Sequence, residues 1–127
     1  MLEKQAFNTK RGPAAKGPYS TCVSAGDLVF VSGQVPINPA TGQFVGGSIE
    51  DEARQVLENL RTLLDELGSS LERVVKTTIF LRDMSDFGRV NEVYASYFTT
   101  APPARSTVQV ACLPFDVGIE IEAVALK

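Results

Sequence analysis

Apolar side chains recur at every third or fourth position in the segment of residues 48–68, and this spacing predicts an amphipathic helix. Ser48 is placed to cap its first turn, with Asp51 three residues further on, and Gly68 is a natural stop. The predicted buried stripe consists of Ala53, Val56, Leu57, Leu60, Leu63, Leu64 and Leu67.

The same spacing predicts a second helix within residues 85–98, which Ser85 or Asp86 can cap. Asn91 lies on the apolar stripe of this helix. A buried amide without a partner would cost on the order of 1–3 kcal/mol, so a buried Asn91 needs either a hydrogen bond within the core or a ligand contact. The stripe itself consists of Phe87, Val90, Tyr94, Tyr97 and Phe98.

Segments rich in β-branched residues, bounded by glycine, proline or polar residues, predict strands. These segments are residues 19–24, 28–35, 74–82, 104–110 and 118–126. The element order β-β-α-β-α-β-β predicts an α+β fold in a single domain over residues 1–127, with both helices on one sheet face. The other face would stay open. The last strand, whether through Ile119 and Ile121 or through their neighbours, supplies apolar surface, which predicts self-association.

The composition limits the classes of partner. The chain has 127 residues, 44% hydrophobic and 21% charged, with a formal net charge of −3. Scattered basic residues and an acidic balance argue against a nucleic-acid partner, and no apolar run is long enough for a transmembrane helix. Two cysteines, Cys22 and Cys112, are too few for a zinc site or a disulfide framework, so we expect small buried side chains in a reducing cytoplasm.

The chain contains no histidine. This excludes a Ser-His-Asp triad, a Cys-His dyad and histidine-based metal sites. Any chemistry must therefore use carboxylates, arginine, tyrosine, hydroxyl groups, backbone groups or water.

Alternation along the strands groups the remaining candidates. Arg105, Thr107 and Gln109 share one side of their strand, and Glu120 and Glu122 share one side of the last strand. An arginine fork can hold a ligand carboxylate by two hydrogen bonds, or it can form a structural salt bridge with Glu120 or Glu122. The paired glutamates fit either acid–base chemistry or an exposed strand edge.

Two residues near the start of the chain have similarly open roles. Gly33 interrupts a strand pattern, which often marks a bulge or a close approach to the backbone. Tyr19 follows a Gly-Pro pair and, taken alone, is more typical of packing than of catalysis.

Six segments taken together resemble the RidA/YjgF family (reactive intermediate deaminase A) over nearly the whole chain. They are "GPYS", "VFVSGQVPINPATG", "ARQVLENL", "VVKTTIFLRDMSDFGRVNEVYASYF", "PPARSTVQVACLP" and "IEIEAVA". The resemblance implies a Bacillus chorismate mutase-like fold, with a mixed sheet packed on two helices. It also implies a homotrimer with a barrel-like centre and three ligand clefts between subunits.

The implied activity is hydrolysis of 2-iminopropanoate and 2-iminobutanoate, which arise from enamine products of PLP-dependent dehydratases, to 2-oxo acids and ammonia. No metal or organic cofactor is implied. By position, Arg105 would bind the substrate carboxylate, helped by the backbone N–H groups of Gly33 and Thr107, and Glu120 would position or activate water. The other implied cleft residues are Tyr19, Ser32 and Asn91.

One position departs from the family. A cysteine noted as reactive often stands where this chain has Thr107, so the backbone N–H is kept but thiol-based regulation there is not expected. Cys112 stands where charged residues are common in the family, and no function follows from it.

A simple hairpin between residues 104–110 and 118–126 would place Arg105 and Glu120 roughly 13 Å apart along the strands, too far to share a small ligand. The resemblance implies a sheet order that separates these two strands, and we therefore predict that they are not hydrogen-bonded neighbours.

Three other functions remain open beside imine hydrolysis. The same arginine would serve a non-catalytic binding module for 2-oxo acids or related carboxylates. RNA cleavage or translation inhibition, attributed to some relatives, fits the acidic charge poorly. A chorismate mutase is possible only by analogy of fold.

Overall fold

The computed structural model describes residues 3–127, which form one six-stranded mixed sheet, a small two-stranded sheet and two helices. The strands are β1 (Lys4–Phe7), β2 (Cys22–Ala25), β3 (Leu28–Gln34), β4 (Ile37–Asn38), β5 (Gln43–Phe44), β6 (Val74–Leu81), β7 (Ala104–Gln109) and β8 (Ile119–Leu126). The helices are α1 (Ile49–Glu66) and α2 (Phe87–Tyr97), with short 3₁₀ turns at Leu71–Arg73, Met84–Asp86 and Pro114–Asp116. No helix within the described residues is long and apolar enough to cross a membrane.

The large sheet has the strand order β1-β2-β3-β8-β6-β7. Only β6 and β7 pair in parallel, and the other neighbours are antiparallel. Since β6 lies between β7 and β8, the prediction that these two strands are not hydrogen-bonded neighbours is confirmed. The strand β7 forms one edge of the sheet.

The two helices cover one sheet face, as predicted for an α+β fold. On β8, the side chains of Ile119, Ile121, Ala123 and Ala125 point into this core, and each is less than 5% exposed. The apolar stripe of α1 packs against them and is almost completely buried from Ala53 to Leu64. The opposite face carries exposed Leu28, Phe30, Val108 and Leu126, which lie on β3, β7 and β8.

The predicted helix caps are only partly right. Ser48 Oγ accepts a hydrogen bond from Asp51 N–H at 3.2 Å, which confirms the first cap. At α2, neither Ser85 nor Asp86 caps the helix with its side chain, because Asp83 instead caps the preceding 3₁₀ turn. Asp86 pairs with Arg89 one turn further on, at 2.8 Å.

Three short strands were not predicted, and one predicted strand starts late. Strands β1, β4 and β5 have two to four residues and little apolar alternation, so their sequence carries no strand period. The strand expected from residue 19 begins at Cys22, because Tyr19 N–H bonds to Gly17 C=O at 2.8 Å in a turn before it.

The two cysteines differ. Cys22 is buried, as expected, and burial together with the Glu66 charge raises the pKa of its thiol to about 11, so it is inert at neutral pH. The expectation of burial is wrong for Cys112, which is exposed because it lies in the loop between β7 and β8 rather than in a strand.

Candidate functional site

The edge strand β7 directs Arg105 and Thr107 towards the helix side of the sheet. In the parallel register, Arg105 lies beside Thr77 and Thr107 beside Ile79, both of which are fully buried under the helices. The side chain of Arg105 therefore emerges between the sheet edge and α2. This arrangement depends on the sheet order, which places β7 outside β6 at the edge of the sheet, with no further strand of residues 3–127 beside it.

Two aromatic rings hold the guanidinium group of Arg105. Its central carbon lies 4.9 Å from the ring centroid of Tyr94 and 5.6 Å from that of Phe87. Such cation–π contacts orient an arginine while leaving its N–H donors available. Arg105 lines an open pocket together with Asn91, Pro102 and Pro103.

Arg105 forms no salt bridge with any carboxylate of residues 3–127, so the alternative of a structural pair with Glu120 or Glu122 within one chain is wrong. Every other arginine has an oxygen partner, either a carboxylate or, for Arg73, the carbonyl of Lys127. The physical reason is that Arg105 lies on the helix face of the sheet, whereas both glutamates lie on the opposite face. A partly buried guanidinium with unused donors is typical of a site for an anionic ligand.

The backbone of β7 adds a second donor at the same edge. Val110 N–H bonds to Leu81 C=O at 3.0 Å, so the even-numbered residues of this strand direct their backbone groups to β6. The N–H and C=O groups of Arg105 and Thr107 then point to the free edge, where the described chain supplies no further strand. The hydroxyl oxygen of Thr107 is buried and has no hydrogen-bond partner in the described chain.

Asn91 projects from α2 into the pocket that Arg105 lines. It is half-buried, and no residue of the described chain hydrogen-bonds its side-chain amide. The alternative of a satisfied core amide is therefore not supported, and the amide faces the pocket.

Glu120 lies on the face of the sheet that the helices leave open, on the same side of β8 as Glu122. Burial, and then the neighbouring Glu122 carboxylate, raise the pKa of Glu120 above the ordinary glutamate value. A carboxyl group in such a setting can exchange a proton closer to neutral pH than an exposed one.

Gly33 lies directly beneath Glu120. The register of β3 with β8 shifts between Val31 and Gln34, which is a bulge, so the prediction from the strand glycine is confirmed. A Cβ atom on Gly33 would overlap Glu120 Oε2 and lie 2.7 Å from its carboxyl carbon. Only glycine therefore allows the carboxyl group to rest against this backbone.

Ser32 and Tyr19 lie next to the same bulge, Ser32 directly before Gly33 in the chain and Tyr19 in the pocket that Gly33 lines. Ser32 donates its hydroxyl to Ser20 C=O at 2.7 Å and its N–H to Thr21 C=O at 2.9 Å, which fixes the segment before β2. Tyr19 is 51% exposed and lines a pocket with Gly33. Its hydroxyl accepts a hydrogen bond from Lys16 N–H at 3.3 Å.

The sequence-derived candidates thus form two half-sites within one chain. The arginine half-site consists of Arg105, Asn91 and Thr107 at the sheet edge on the helix side. The glutamate half-site consists of Glu120, Gly33, Ser32 and Tyr19 on the open face and at its bulge. A single chain does not bring the two together.

Several contributors were not predicted from the sequence. The spacing of Phe87 and Tyr94 places both on the apolar stripe of α2, but it does not reveal that their rings face an arginine. Asn59 is buried on α1 and donates to the carbonyls of Val35 and Ile37 at 3.2 and 2.9 Å, which fixes the chain just after the bulge. The sequence signal for this contact is that Asn59 is a polar residue on the otherwise apolar stripe of α1.

The raised pKa of Glu120 predicts a pH-dependent stability. A carboxyl whose pKa is higher in the folded state favours folding below the unfolded value of about 4.3, and this contribution is lost as the pH rises through the folded value. Glu120→Gln should therefore raise the melting temperature above the parent's at neutral pH, with the difference shrinking towards pH 4. Glu122→Gln should give a smaller gain, since it removes only the charge contribution. Thermal unfolding across pH measures this, and a Glu120→Gln variant less stable than the parent at neutral pH would contradict it.

Together, these features define a small α+β protein with an unpaired arginine at a sheet edge and a glutamate seated on a bulged strand. A family model described as Endoribonuclease L-PSP matches residues 9–127. A RutC family protein of Pyrococcus horikoshii is 50% identical over 98% of both chains. The 2-iminobutanoate/2-iminopropanoate deaminase of Mus musculus is 45% identical over 98% of this chain and 92% of its own.

Among solved structures, E. coli TdcF with bound serine has a TM-score of 0.91 and 42% identity, covering 97% of this chain and 98% of its own. The chain belongs to the RidA/YjgF family, to which the L-PSP model corresponds.

Proposed function

We propose that the protein hydrolyses small 2-imino acids, such as 2-iminopropanoate and 2-iminobutanoate, to 2-oxo acids and ammonia. The observation that carries this proposal is the Arg105 guanidinium, which is held between two rings and has no oxygen partner in residues 3–127. An α-carboxylate is the group that such a fork binds best. Two relatives support this class of ligand: the mouse protein is named as a 2-iminobutanoate/2-iminopropanoate deaminase, and the E. coli protein has bound serine, which carries a carboxylate beside a carbon bearing nitrogen.

The arginine half-site acts as the carboxylate clamp. Arg105 supplies two parallel donors, the free N–H of Thr107 supplies a third at the same edge, and the Asn91 amide lies beside them. Threonine at position 107 retains this N–H. The clamp holds one end of the ligand and leaves the imine carbon to the second half-site.

The glutamate half-site directs water. Water adds to the electrophilic carbon of the protonated imine, forming a C–O bond, and gives one proton to Glu120. Glu120 returns this proton to the nitrogen of the carbinolamine. The C–N bond then breaks as the hydroxyl oxygen forms the C=O bond, ammonia departs, and the hydroxyl proton passes to the Glu120 carboxylate and on to solvent, which leaves the 2-oxo acid. Positioning and a carboxyl group with a raised pKa are sufficient for this chemistry, which needs neither histidine nor a cofactor.

Two copies of the chain are needed to bring the half-sites together, because they lie on opposite faces of the sheet. We propose a homotrimer in which Arg105 of one subunit and Glu120 of the next share a cleft. The exposed apolar side chains Leu28, Phe30 and Leu126 on the open face supply surface for this assembly.

The name of the family model suggests RNA as an alternative substrate. The charge distribution does not favour it, because each arginine other than Arg105 is engaged with a protein oxygen and the net charge is −3.

The central experiment follows imine loss after a serine or threonine dehydratase generates the enamine. The parent should accelerate imine loss, and Glu120→Gln should lower kcat by roughly 100-fold, the usual scale for a general acid–base group. Binding of 2-oxobutanoate should survive, since the carboxylate clamp is untouched. Glu122→Gln is the matched control and should stay within roughly threefold of the parent. Binding without acceleration by the parent would instead support a non-catalytic carboxylate-binding module.

Complementation between variants tests the shared cleft. Arg105→Ala and Glu120→Gln, each impaired alone, should regain roughly a third of parental activity when co-expressed with different tags and isolated as mixed trimers, because each mixed trimer has one cleft of its three with both groups intact. Mixed oligomers without recovered activity, or a monomer by mass measurement, would contradict the shared cleft.

A further inference from the structure

The loop between β7 and β8 presents an exposed aromatic ring on a backbone that such residues rarely adopt. Phe115 has φ 60° and ψ 17°, and Asp116 follows with φ 57°. The Phe115 side chain is 60% exposed. A bulky residue in the left-handed region is a genuine outlier, and such residues persist where surrounding contacts hold them, often beside ligand sites.

Contacts on both sides fix this conformation. Arg82 donates to Asp116 C=O at 2.7 Å and lies 3.3 Å from its carboxylate, and Asp116 N–H bonds to Leu113 C=O at 3.0 Å. The ring of Phe115 packs against Phe44, with centroids 5.0 Å apart. The ring is therefore held in place at the surface rather than buried in the core.

The ring forms one wall of the pocket that contains Tyr19 and Gly33. Because Gly33 carries the Glu120 carboxyl group directly above it, this wall lies next to the group assigned to the attacking water. The aliphatic part of the lining consists of Pro13, Ala14, Ala15, Val35 and Ile37, and its polar part of Lys16, Thr21 and Gln34. The Lys16 ammonium group lies 5.8 Å from the centroid of the Phe115 ring. An apolar wall beside the reacting carbon would contact the part of a ligand that is neither carboxylate nor nitrogen.

We infer that Phe115 determines specificity: it gives the chain a preference for 2-imino acids whose side chain is apolar and longer than a methyl group. The substrate class rests on the proposed imine hydrolysis, but the ligand preference rests on the pocket itself. The ligand side chain packs on the Phe115 ring and the neighbouring prolyl and aliphatic surface, while the carboxylate is held at Arg105. An apolar pocket typically changes kcat/KM by roughly tenfold for each methylene group that it accommodates.

The test compares two imines made by an amino acid oxidase with catalase, one from alanine and one from leucine. Phe115→Asn removes the ring and keeps a residue that tolerates the left-handed backbone. It should lower kcat/KM for the leucine-derived imine by roughly tenfold and change that for the alanine-derived imine by less than roughly twofold. Phe115→Tyr should retain the preference. Phe44→Ala removes only the ring that holds Phe115 in place and does not line the pocket, so it should reduce the preference by less than Phe115→Asn does.

A binding measurement separates this inference from the proposed function. Calorimetry with 4-methyl-2-oxopentanoate and pyruvate should show the same preference in the parent and its loss in Phe115→Asn, whether or not imines are hydrolysed. An inactive parent that keeps this preference would overturn the hydrolysis and leave the inference standing. The inference would be overturned if Phe115→Asn kept the preference of the parent, with or without a change in oligomeric mass. It would also be overturned if the parent bound neither oxo acid.

Discussion

Replacement of Arg105 by alanine should lower kcat/KM for 2-iminopropanoate by roughly 1,000-fold, because it removes two charge-assisted hydrogen bonds of about 1.5–3 kcal/mol each. Arg105→Lys should still lose roughly 30-fold, since lysine keeps the charge but is a point donor without the planar fork. Lysine also loses the fixed position that the Phe87 and Tyr94 rings give to the guanidinium. Steady-state imine loss for the parent and both variants measures these ratios.

The matched control for this prediction is Arg89→Ala. Arg89 lies on the surface of the same helix that faces Arg105, and it pairs with Asp86 at 2.8 Å in an exposed setting. Its loss should change activity by less than roughly twofold. Arg105→Ala should lower the melting temperature only slightly, because Arg105 has no ion pair to lose within residues 3–127 and its two cation–π contacts contribute about 0.5–1 kcal/mol each. An Arg105→Ala variant as fast as the parent would remove the carboxylate clamp from the proposal.

The main elements of the fold could be predicted because their periods are strong. The apolar stripe of α1 repeats only with the helical period, and the β-branched segments of β6 and β8 favour only a strand. The structure has these three elements within one or two residues of the predicted bounds. Short strands such as β1 have no such period, because their residues are mostly exposed and their pairing depends on a neighbouring strand.

The candidate site was less predictable. Alternation correctly grouped Arg105 with Thr107 and Glu120 with Glu122, but it could not say which sheet face the helices would cover. That choice puts Arg105 and Glu120 on opposite faces and excludes a salt bridge within one chain. The rings around Arg105 and the strained backbone at Phe115 arise from contacts between distant segments, which no local pattern encodes.

Gly33→Ala should damage both stability and activity, although the backbone of Gly33 lies outside the left-handed region and alanine could adopt it. The reason is steric. The added methyl group would overlap Glu120 Oε2 and lie 2.7 Å from its carboxyl carbon, so either the strand or the carboxyl group must move. The carboxyl end of this flexible side chain can move away from the methyl group, so we expect a loss of only about 1 kcal/mol in the free energy of unfolding, the low end of the costs of overpacking. Activity should fall roughly 100-fold, because a catalytic group displaced by about 1 Å loses that much.

The effect of Gly33→Ala on the free energy of unfolding should disappear or reverse when Glu120 is replaced by alanine. All three nearest neighbours of the added methyl group belong to the Glu120 side chain beyond its Cβ, so Glu120→Ala removes the overlap. In that background Gly33→Ala should be neutral or stabilise by about 0.4–1 kcal/mol, because alanine restricts the unfolded chain. Gly88→Ala, on α2 with open space around it, controls for the general effect of alanine and should stabilise by about 1 kcal/mol. Denaturant unfolding of this double-mutant cycle measures the coupling. If Gly33→Ala lowers the free energy of unfolding equally in both backgrounds, Glu120 does not contact this glycine. The position proposed for the water-directing carboxyl group, against the Gly33 backbone, would then be wrong.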